Sequence, residues 1–339
     1  MKNKVFIIAE LSANHGHSID IAKKSIKLAK ESGADAVKIQ TYTPDTITLN
    51  CDNEYFQINN GTIWDGTTLY KLYQEAYTPW EWHKELFDYA REIGIEIFST
   101  PFDKTAVDLL EELETPIYKI ASFEINDIPL IEYASSKGKP MIISTGVGTE
   151  EEIKEAVEAC RKMGNEDITL LQCTSQYPAK VEDANLVMIK DLVERFNVKA
   201  GLSDHTMGSL VASTAVAMGA EVIEKHFIID RSLGGSDSSF SMTPIEFREM
   251  VENIRNVEKM IGKVSYEVTE KKKNAFKFKR SLFISKDINK GEVITKENIK
   301  SVRPADGISP KYYNYVLGKK VRKDLKFGTP LLFEDIGEE

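Results

Sequence analysis

The sequence predicts a closed (β/α)₈ barrel of the TIM type, followed by a small β-rich domain. Three observations predict it. Eight short apolar runs alternate with eight helical patterns over residues 1–262. Polar residues gather at the C-terminal ends of those runs. After Gly262 the rhythm breaks, and short strand-like segments with turn glycines take over. Strand–helix alternation means a parallel sheet, and eight units close it into a barrel. An open doubly wound sheet is the alternative, weakened because no GxGxxG follows the first run.

The strand candidates are 5–10 (VFIIAE), 36–41 (AVKIQT), 95–100 (IEIFST), 117–122 (IYKIAS), 140–145 (PMIIST), 168–173 (ITLLQC), 198–203 (VKAGLS) and 221 onward (EVIEKHF). Each is short and apolar, as a strand buried on both faces must be. Helices are expected near 18–32, 79–93, 103–114, 127–137, 149–163, 185–195, 207–218 and 243–261. Thr78-Pro79 and Thr243-Pro244 each place a cap residue before a proline at the first helical position. Thr149 precedes three glutamates, which suit a helix N-terminus. Gly33, Gly94, Gly138, Gly164 and Gly219 stand where helices end.

One connection, 42–78, is far longer than the rest. Loops beyond about 15 residues are uncommon and often functional. This one carries aromatic and amide side chains and reads equally as a lid, a wall over the strand ends, or a decorated surface loop. Residues 263–280 carry a basic cluster without an apolar face and read as a linker. Residues 281–339 form the small β-rich domain, in which Arg303 precedes Pro304 on a loop that could reach an anionic ligand.

Composition bounds the function. A hydrophobic fraction of 42% suffices for a full core, and a net charge of −9 argues against a nucleic-acid or anionic-membrane footprint. No apolar run approaches the roughly 18 residues of a membrane span. The first apolar run is short and meets Glu10, so it reads as a strand and not a signal peptide. Three cysteines, Cys51, Cys160 and Cys173, show no metal-like spacing, which suits a reduced, cytoplasmic protein.

Chemistry in such barrels sits at the C-terminal strand ends. His205 and His226 fall there on neighbouring strands, with Ser203, Asp204 and Glu224 around them. Paired imidazoles among hard oxygen donors point to an open metal site. Glu10 with Asn14 and His15, Ser99 with Thr100, and Thr145 are further strand-end groups. Lys38 and Lys119 lie inside apolar strands, where a lysine is costly unless paired. With neighbouring hydroxyls they read as a phosphate site.

The ordered motifs IAELSANHG, VKIQT, FSTPFD, YKIAS, IISTG, LQCTSQYP, GLSDHT and EKHF resemble the sialic acid synthase family. The C-terminal module resembles that family's antifreeze-like (SAF) domain. The resemblance implies condensation of phosphoenolpyruvate with an open-chain amino sugar to a nonulosonic acid, as used in flagellin or surface glycans. LSANHG, QTYTPDTIT and LYKLYQEAYTPWEWH look closest to the pseudaminic acid branch, with N-acetylneuraminate or legionaminate as the alternative products. The resemblance implies phosphoenolpyruvate contacts at Lys38, Thr100, Lys119, Ser122, Ser144 and Ser203. It implies metal ligation by His205 and His226, with manganese or magnesium, cobalt being a further fit. Gln40, Tyr177 and Asp237 match sugar-side positions, and Glu10 and Glu124 match carboxylates near the reacting carbons. Arg303 matches an arginine delivered to the sugar across a domain-swapped homodimer. The chain departs from N-acetylneuraminate synthases after Cys-Thr, where Ser175 and Gln176 stand in place of asparagine.

Two rivals remain. A Schiff-base aldolase would use Lys38 or Lys119 as nucleophile, which requires a lysine with a lowered pKa. A non-catalytic carbohydrate-binding barrel would not need the full set of polar strand ends.

Overall fold

A computed structural model describes residues 4–59, 61 and 65–337. The chain divides into two compact units, Met1–Gly262 and Lys263–Glu339. Trp64, part of the aromatic 64–82 stretch, lies outside the described residues.

The first unit is a closed barrel of eight parallel strands in sequence order. They are β1 (Phe6–Glu10), β2 (Ala36–Thr41), β3 (Glu96–Pro101), β4 (Tyr118–Ile120), β5 (Met141–Ser144), β6 (Ile168–Cys173), β7 (Lys199–Asp204) and β8 (Val222–His226). β8 closes on β1, with Glu10 opposite His226. Side chains alternate across each strand. One parity packs against the helices, as Ile7, Val37, Ile97, Leu170 and Ile223 do. The other points inward, where Ile8, Ala36, Phe98, Ile142, Leu171 and Val222 form an apolar plug. Two residues further along each strand the same parity turns polar: Glu10, Lys38, Thr100, Ser144 and Glu224, with Cys173 on β6. The barrel is thus sealed at one level and reactive at the next.

Gly201 shows how tightly the plug is built. A Cβ there would stand 2.3 Å from the Val222 carbonyl oxygen and 2.8 Å from Leu171 Cδ2.

Several local expectations need correction. Pro79 is itself the cap of helix Trp80–Ile93, because the Thr78 hydroxyl bonds to His15 Nε2 at 3.2 Å instead. The 42–78 connection contains helices Pro44–Ile47 and Leu69–Ala76, so it is not an unstructured loop. The expected linker holds helix Glu270–Phe276, with Thr269 accepting from the Lys272 amide as its cap. Thr149 and Thr243 do cap their helices, each in a reciprocal box with the glutamate three residues on.

The second unit has its own core, including Leu282, Ile284, Ile299, Val321 and Leu331. Its sheet pairs Ser281–Ile284 (β9) antiparallel with Ile299–Val302 (β10). Arg303 follows β10 directly and is exposed.

Candidate active site

The polar level above the plug is a connected cluster. Lys38 Nζ lies 2.9 Å from Glu10 Oε2, 3.4 Å from Glu224 Oε2 and 3.3 Å from Thr100 Oγ1. Lys119 Nζ donates to Ser144 Oγ at 2.7 Å and to the Ile120 carbonyl at 3.1 Å, and stands 4.0 Å from Glu224 Oε1. Ser203 Oγ donates to Glu224 Oε1 at 2.9 Å. Each of these side chains is buried. The strand register makes this possible: Ser203 faces Glu224, and Glu10 faces Lys38.

The charges hold one another. For Glu224, burial favours the neutral acid, but Lys119 and Lys38 outweigh it and bring its pKa down to about 2. Burial likewise opposes the charge on Lys38, yet Glu10 and Glu224 hold its pKa above the ordinary lysine range. Lys119 ends below that range, because burial there exceeds what Glu224 returns. Glu10 is raised, chiefly by burial.

Ser122 and Glu124 sit on a single 3₁₀ turn after β4. Ser122 Oγ accepts from the Gly146 amide at 3.1 Å. A Cβ on Gly146 would lie 2.4 Å from Ser175 Oγ and 3.0 Å from Ser122 Oγ, so the turns after β4, β5 and β6 converge there. Ser175, the point of departure in sequence, therefore belongs to this wall, while Gln176 is exposed. Burial raises the Glu124 carboxyl to about 7, against the pull of Lys119. Its Oε2 is buried with no hydrogen-bond partner among the described residues.

Gln40 Nε2 donates to Glu10 Oε1 at 3.1 Å and to Ser12 Oγ at 3.0 Å. Ser12 Oγ in turn donates to Asp237 Oδ2 at 2.5 Å. These links bring the β1, β2 and β8 ends together on the side where sugar contacts were expected. Tyr177 stacks tilted on His205, ring centroids 4.4 Å apart, and on Phe240 at 5.1 Å.

His205 and His226 face each other with ring centroids 5.3 Å apart. The Thr174 carbonyl lies 2.9 Å from His205 Nδ1, which fixes that nitrogen as the donor and leaves Nε2 free to ligate. Burial opposes a charge on His205, whereas Cys173 and that carbonyl favour it, and the balance lies above the ordinary value. Burial, then the neighbouring cationic groups, keeps His226 neutral. Its Nδ1 is buried with no hydrogen-bond partner among the described residues, 3.9 Å from Asp237 Oδ2. An orphaned buried imidazole nitrogen facing a second imidazole fits a divalent cation. Among the described residues no three His, Cys, Asp or Glu side chains form a ready-made metal cluster. Two imidazoles alone would leave other coordination positions open, which a catalytic site needs and a structural one does not.

Not every expected strand-end group joins the site. Asp204, read in sequence as a neighbour of the metal, points the other way. It shares the parity of Ala200 and Leu202 and bonds Lys225 behind the barrel wall. Ser99 also faces outward, donating to the Ile39 carbonyl. Asn14 donates to the Phe227 carbonyl and to Ser241 Oγ, and His15 packs edge-on against Trp82. Arg303 lies in the second unit. Sequence reasoning missed Ser12, Cys173 and Phe240. Strand parity could have found Cys173, which shares the inward face of Leu171. Ser12 and Phe240 lie in loops without a period to read.

A model of the NeuB family matches residues 25–266. The chain belongs to the NeuB family. A SAF domain matches residues 279–337. The chain is 51% identical to a pseudaminic acid synthase of Campylobacter jejuni, over 97% of this chain and 95% of that protein. It is also 51% identical to a pseudaminic acid synthase of Helicobacter pylori, over 97% of each. Among solved structures, an N-acetylneuraminic acid synthetase from Leptospira borgpetersenii in complex with citrate superposes with a TM-score of 0.72. It shares 32% identity over 80% of this chain and 90% of that one. Family membership thus agrees with the resemblance carried by the eight motifs.

Proposed function

We propose that this chain is a pseudaminic acid synthase. It condenses phosphoenolpyruvate with open-chain 2,4-diacetamido-2,4,6-trideoxy-β-L-altropyranose and water, giving pseudaminic acid and phosphate. The near full-length identity to two curated pseudaminic acid synthases carries this reading. The cluster of two buried lysines ringed by Thr100, Ser144 and Ser203 supports it.

Lys38 and Lys119 receive the phosphate and carboxylate of phosphoenolpyruvate, with hydroxyls of Thr100, Ser122, Ser144 and Ser203 as donors. Gln40, Tyr177 and Asp237 orient the sugar chain, so that its aldehyde carbon meets C3 of phosphoenolpyruvate. His205 and His226 would hold a divalent metal, with manganese and magnesium the leading candidates, which would supply Lewis-acid chemistry for the aldehyde. Bond formation leaves positive charge at C2. Glu10 and Glu224 flank that region as carboxylates, and Glu124 takes the proton of the water that adds to C2. Phosphate then leaves with C–O cleavage, taking the proton of the C2 hydroxyl as that carbon becomes a ketone, and the proton held on Glu124 passes to the alkoxide at the former aldehyde carbon.

A pKa near 7 suits a general base at neutral pH. kcat/KM should therefore rise with pH through a limb centred near 7, as Glu124 loses its proton. Glu124→Gln should lower kcat by about 10²–10⁴-fold and abolish that limb. Because its folded pKa lies above the unfolded value, ionising Glu124 costs stability as pH rises through 7. Glu124→Gln should thus melt no lower than wild type at pH 8. A limb that persists in the variant assigns the base elsewhere.

The direct test incubates the protein with phosphoenolpyruvate and a panel of acetamido and diacetamido hexoses, with mass detection of the nine-carbon acid. The trideoxy diacetamido sugar should turn over fastest. An apolar wall supports this: Tyr42 packs edge-on against Tyr73 at 5.6 Å and Phe102 at 5.1 Å. Faster turnover of N-acetylmannosamine would overturn the choice of sugar.

One observation favours the aldolase alternative. Lys119 is buried and its pKa is lowered, as a Schiff-base nucleophile requires. Its Nζ is committed to Ser144 and the Ile120 carbonyl, which favours an anion-binding role. Borohydride trapping with a carbonyl substrate separates the two: a covalent adduct means aldolase.

Arg303 and the SAF domain complete the proposal. The exposed arginine would bind the sugar's acyl group in a partner's barrel, making a shared site across a two-fold dimer. Arg303→Ala should lose about 1.5–3 kcal/mol of a charge-assisted hydrogen bond, roughly 10- to 150-fold in sugar-dependent efficiency. Mixing inactive Arg303→Ala and His205→Ala proteins should restore part of the activity. No recovery after verified subunit exchange means that sites are not shared.

A further inference from the structure

Directly behind the two histidines lies a buried polar knot. Asp204 and Lys225 are register partners on β7 and β8, and each immediately precedes a histidine. Lys225 Nζ lies 2.7 Å from Asp204 Oδ2, and both side chains are almost wholly out of solvent, at 0% and 1% exposure. The other carboxylate oxygen, Asp204 Oδ1, accepts from the Thr206 amide at 2.9 Å and from its hydroxyl at 2.8 Å. Lys225 also donates to the Thr206 carbonyl. His205 is therefore bracketed: the residues before and after it are both tied to the residue before His226. The knot sits on the outer parity, beside Ala200, Leu202 and Ile223, in what is otherwise apolar packing between barrel and helices.

A buried ion pair is weak evidence for stability. An apolar pair of similar volume is often as stable or more so. The charges here do something an apolar pair cannot. They fix the register and rotation of two strand ends at one point, through directional bonds to both termini of a single three-residue turn.

We propose that Asp204, Lys225 and Thr206 are positioning residues that set the spacing and orientation of His205 and His226. The inference rests on the reading of those histidines as ligands of a divalent cation. None of the three touches the cation or substrate. Their effect reaches the site through the backbone, since side chains 204 and 225 project to the opposite face from 205 and 226.

The test measures Mn²⁺ binding by calorimetry, and the electron paramagnetic resonance spectrum of bound Mn²⁺, on the full chain. The double variant Asp204→Leu with Lys225→Met should unfold cooperatively at or above the wild-type temperature. It should nevertheless bind Mn²⁺ about 10- to 100-fold more weakly, the usual cost of losing outer-shell support. Its Mn²⁺ spectrum should broaden, and kcat should fall while KM for phosphoenolpyruvate, set chiefly by Lys38 on β2 and Lys119 on β4, changes far less than the metal affinity. If the double variant does not fold, Thr206→Val and Thr206→Ser decide. The valine variant, lacking the hydroxyl, should lose affinity, and the serine variant should regain it. A folded double variant, or Thr206→Val, with wild-type affinity and spectrum overturns the proposal. Wild-type protein that binds no Mn²⁺ overturns it together with the metal reading, so the two failures are distinguishable.

Discussion

Replacing Lys38 by methionine should both destabilise the barrel and abolish phosphoenolpyruvate binding. The side chain is buried between Glu10 and Glu224, at 2.9 and 3.4 Å. Methionine has a similar length but no charge, so two buried carboxylates lose their common counter-ion. Breaking a buried pair by removing one partner costs about 3–5 kcal/mol, because the remaining charge is left uncompensated. The pH dependence identifies the cause. In the native protein Glu224 has a pKa depressed to about 2, so its ion pairs stabilise the fold above the ordinary carboxylate pKa and are lost as pH falls through about 2. For Glu10, already raised by burial, Lys38→Met removes the lysine that pulls the other way. The penalty on its charge therefore grows at neutral pH and is relieved by protonation as pH falls. The loss in unfolding free energy should therefore be larger at pH 8 than at pH 5. Denaturant melts at both pH values check this. A loss independent of pH would mean that packing, and not the charge cluster, is what Lys38 supplies.

Removing either imidazole should stop turnover without unfolding the protein. His205→Ala and His226→Ala each delete one of two facing rings, and His226 Nδ1 has no hydrogen-bond partner among the described residues. Loss of Lewis-acid help to a carbonyl is worth several kcal/mol, so kcat should fall by about 10³-fold or more. The far-ultraviolet circular dichroism spectrum should stay native. A chelator should reproduce the loss in the wild-type protein, and Mn²⁺ or Mg²⁺ should reverse it. Full activity in chelator, with no metal by elemental analysis, would overturn the metal reading. Lys38→Met and His205→Ala should also differ in kind: the first fails to bind phosphoenolpyruvate, whereas the second still binds it.

The barrel was legible in the sequence because its signals are local. A strand buried on both faces must be a short apolar run, and glycine is favoured where a helix ends in a left-handed turn. Gly33, Gly94, Gly138, Gly164 and Gly219 all have positive φ. The polar strand ends were legible for the same reason: a lysine within VKI or YKI is anomalous in a run that is otherwise apolar. Strand order follows from connectivity, since each right-handed crossover places the next strand beside the last.

What the tertiary structure alone decided was partnership. The sequence puts Ser203, Asp204, His205, Glu224, Lys225 and His226 side by side as six polar residues. Only the register of β7 on β8 sorts them, sending Ser203, Glu224 and both histidines inward and Asp204 with Lys225 outward. A one-residue slip would exchange the two sets. The pKa values of the cluster are likewise collective. Burial raises both Glu224 and Glu124; two lysines outweigh it at Glu224, held near 2, and Lys119 does not outweigh it at Glu124, held near 7, a balance set by barrel closure. Composition and spacing determined which chemical groups the barrel mouth would hold. Which group faces which, and so which are acids, bases, ligands or struts, was settled only when eight strands closed on one another.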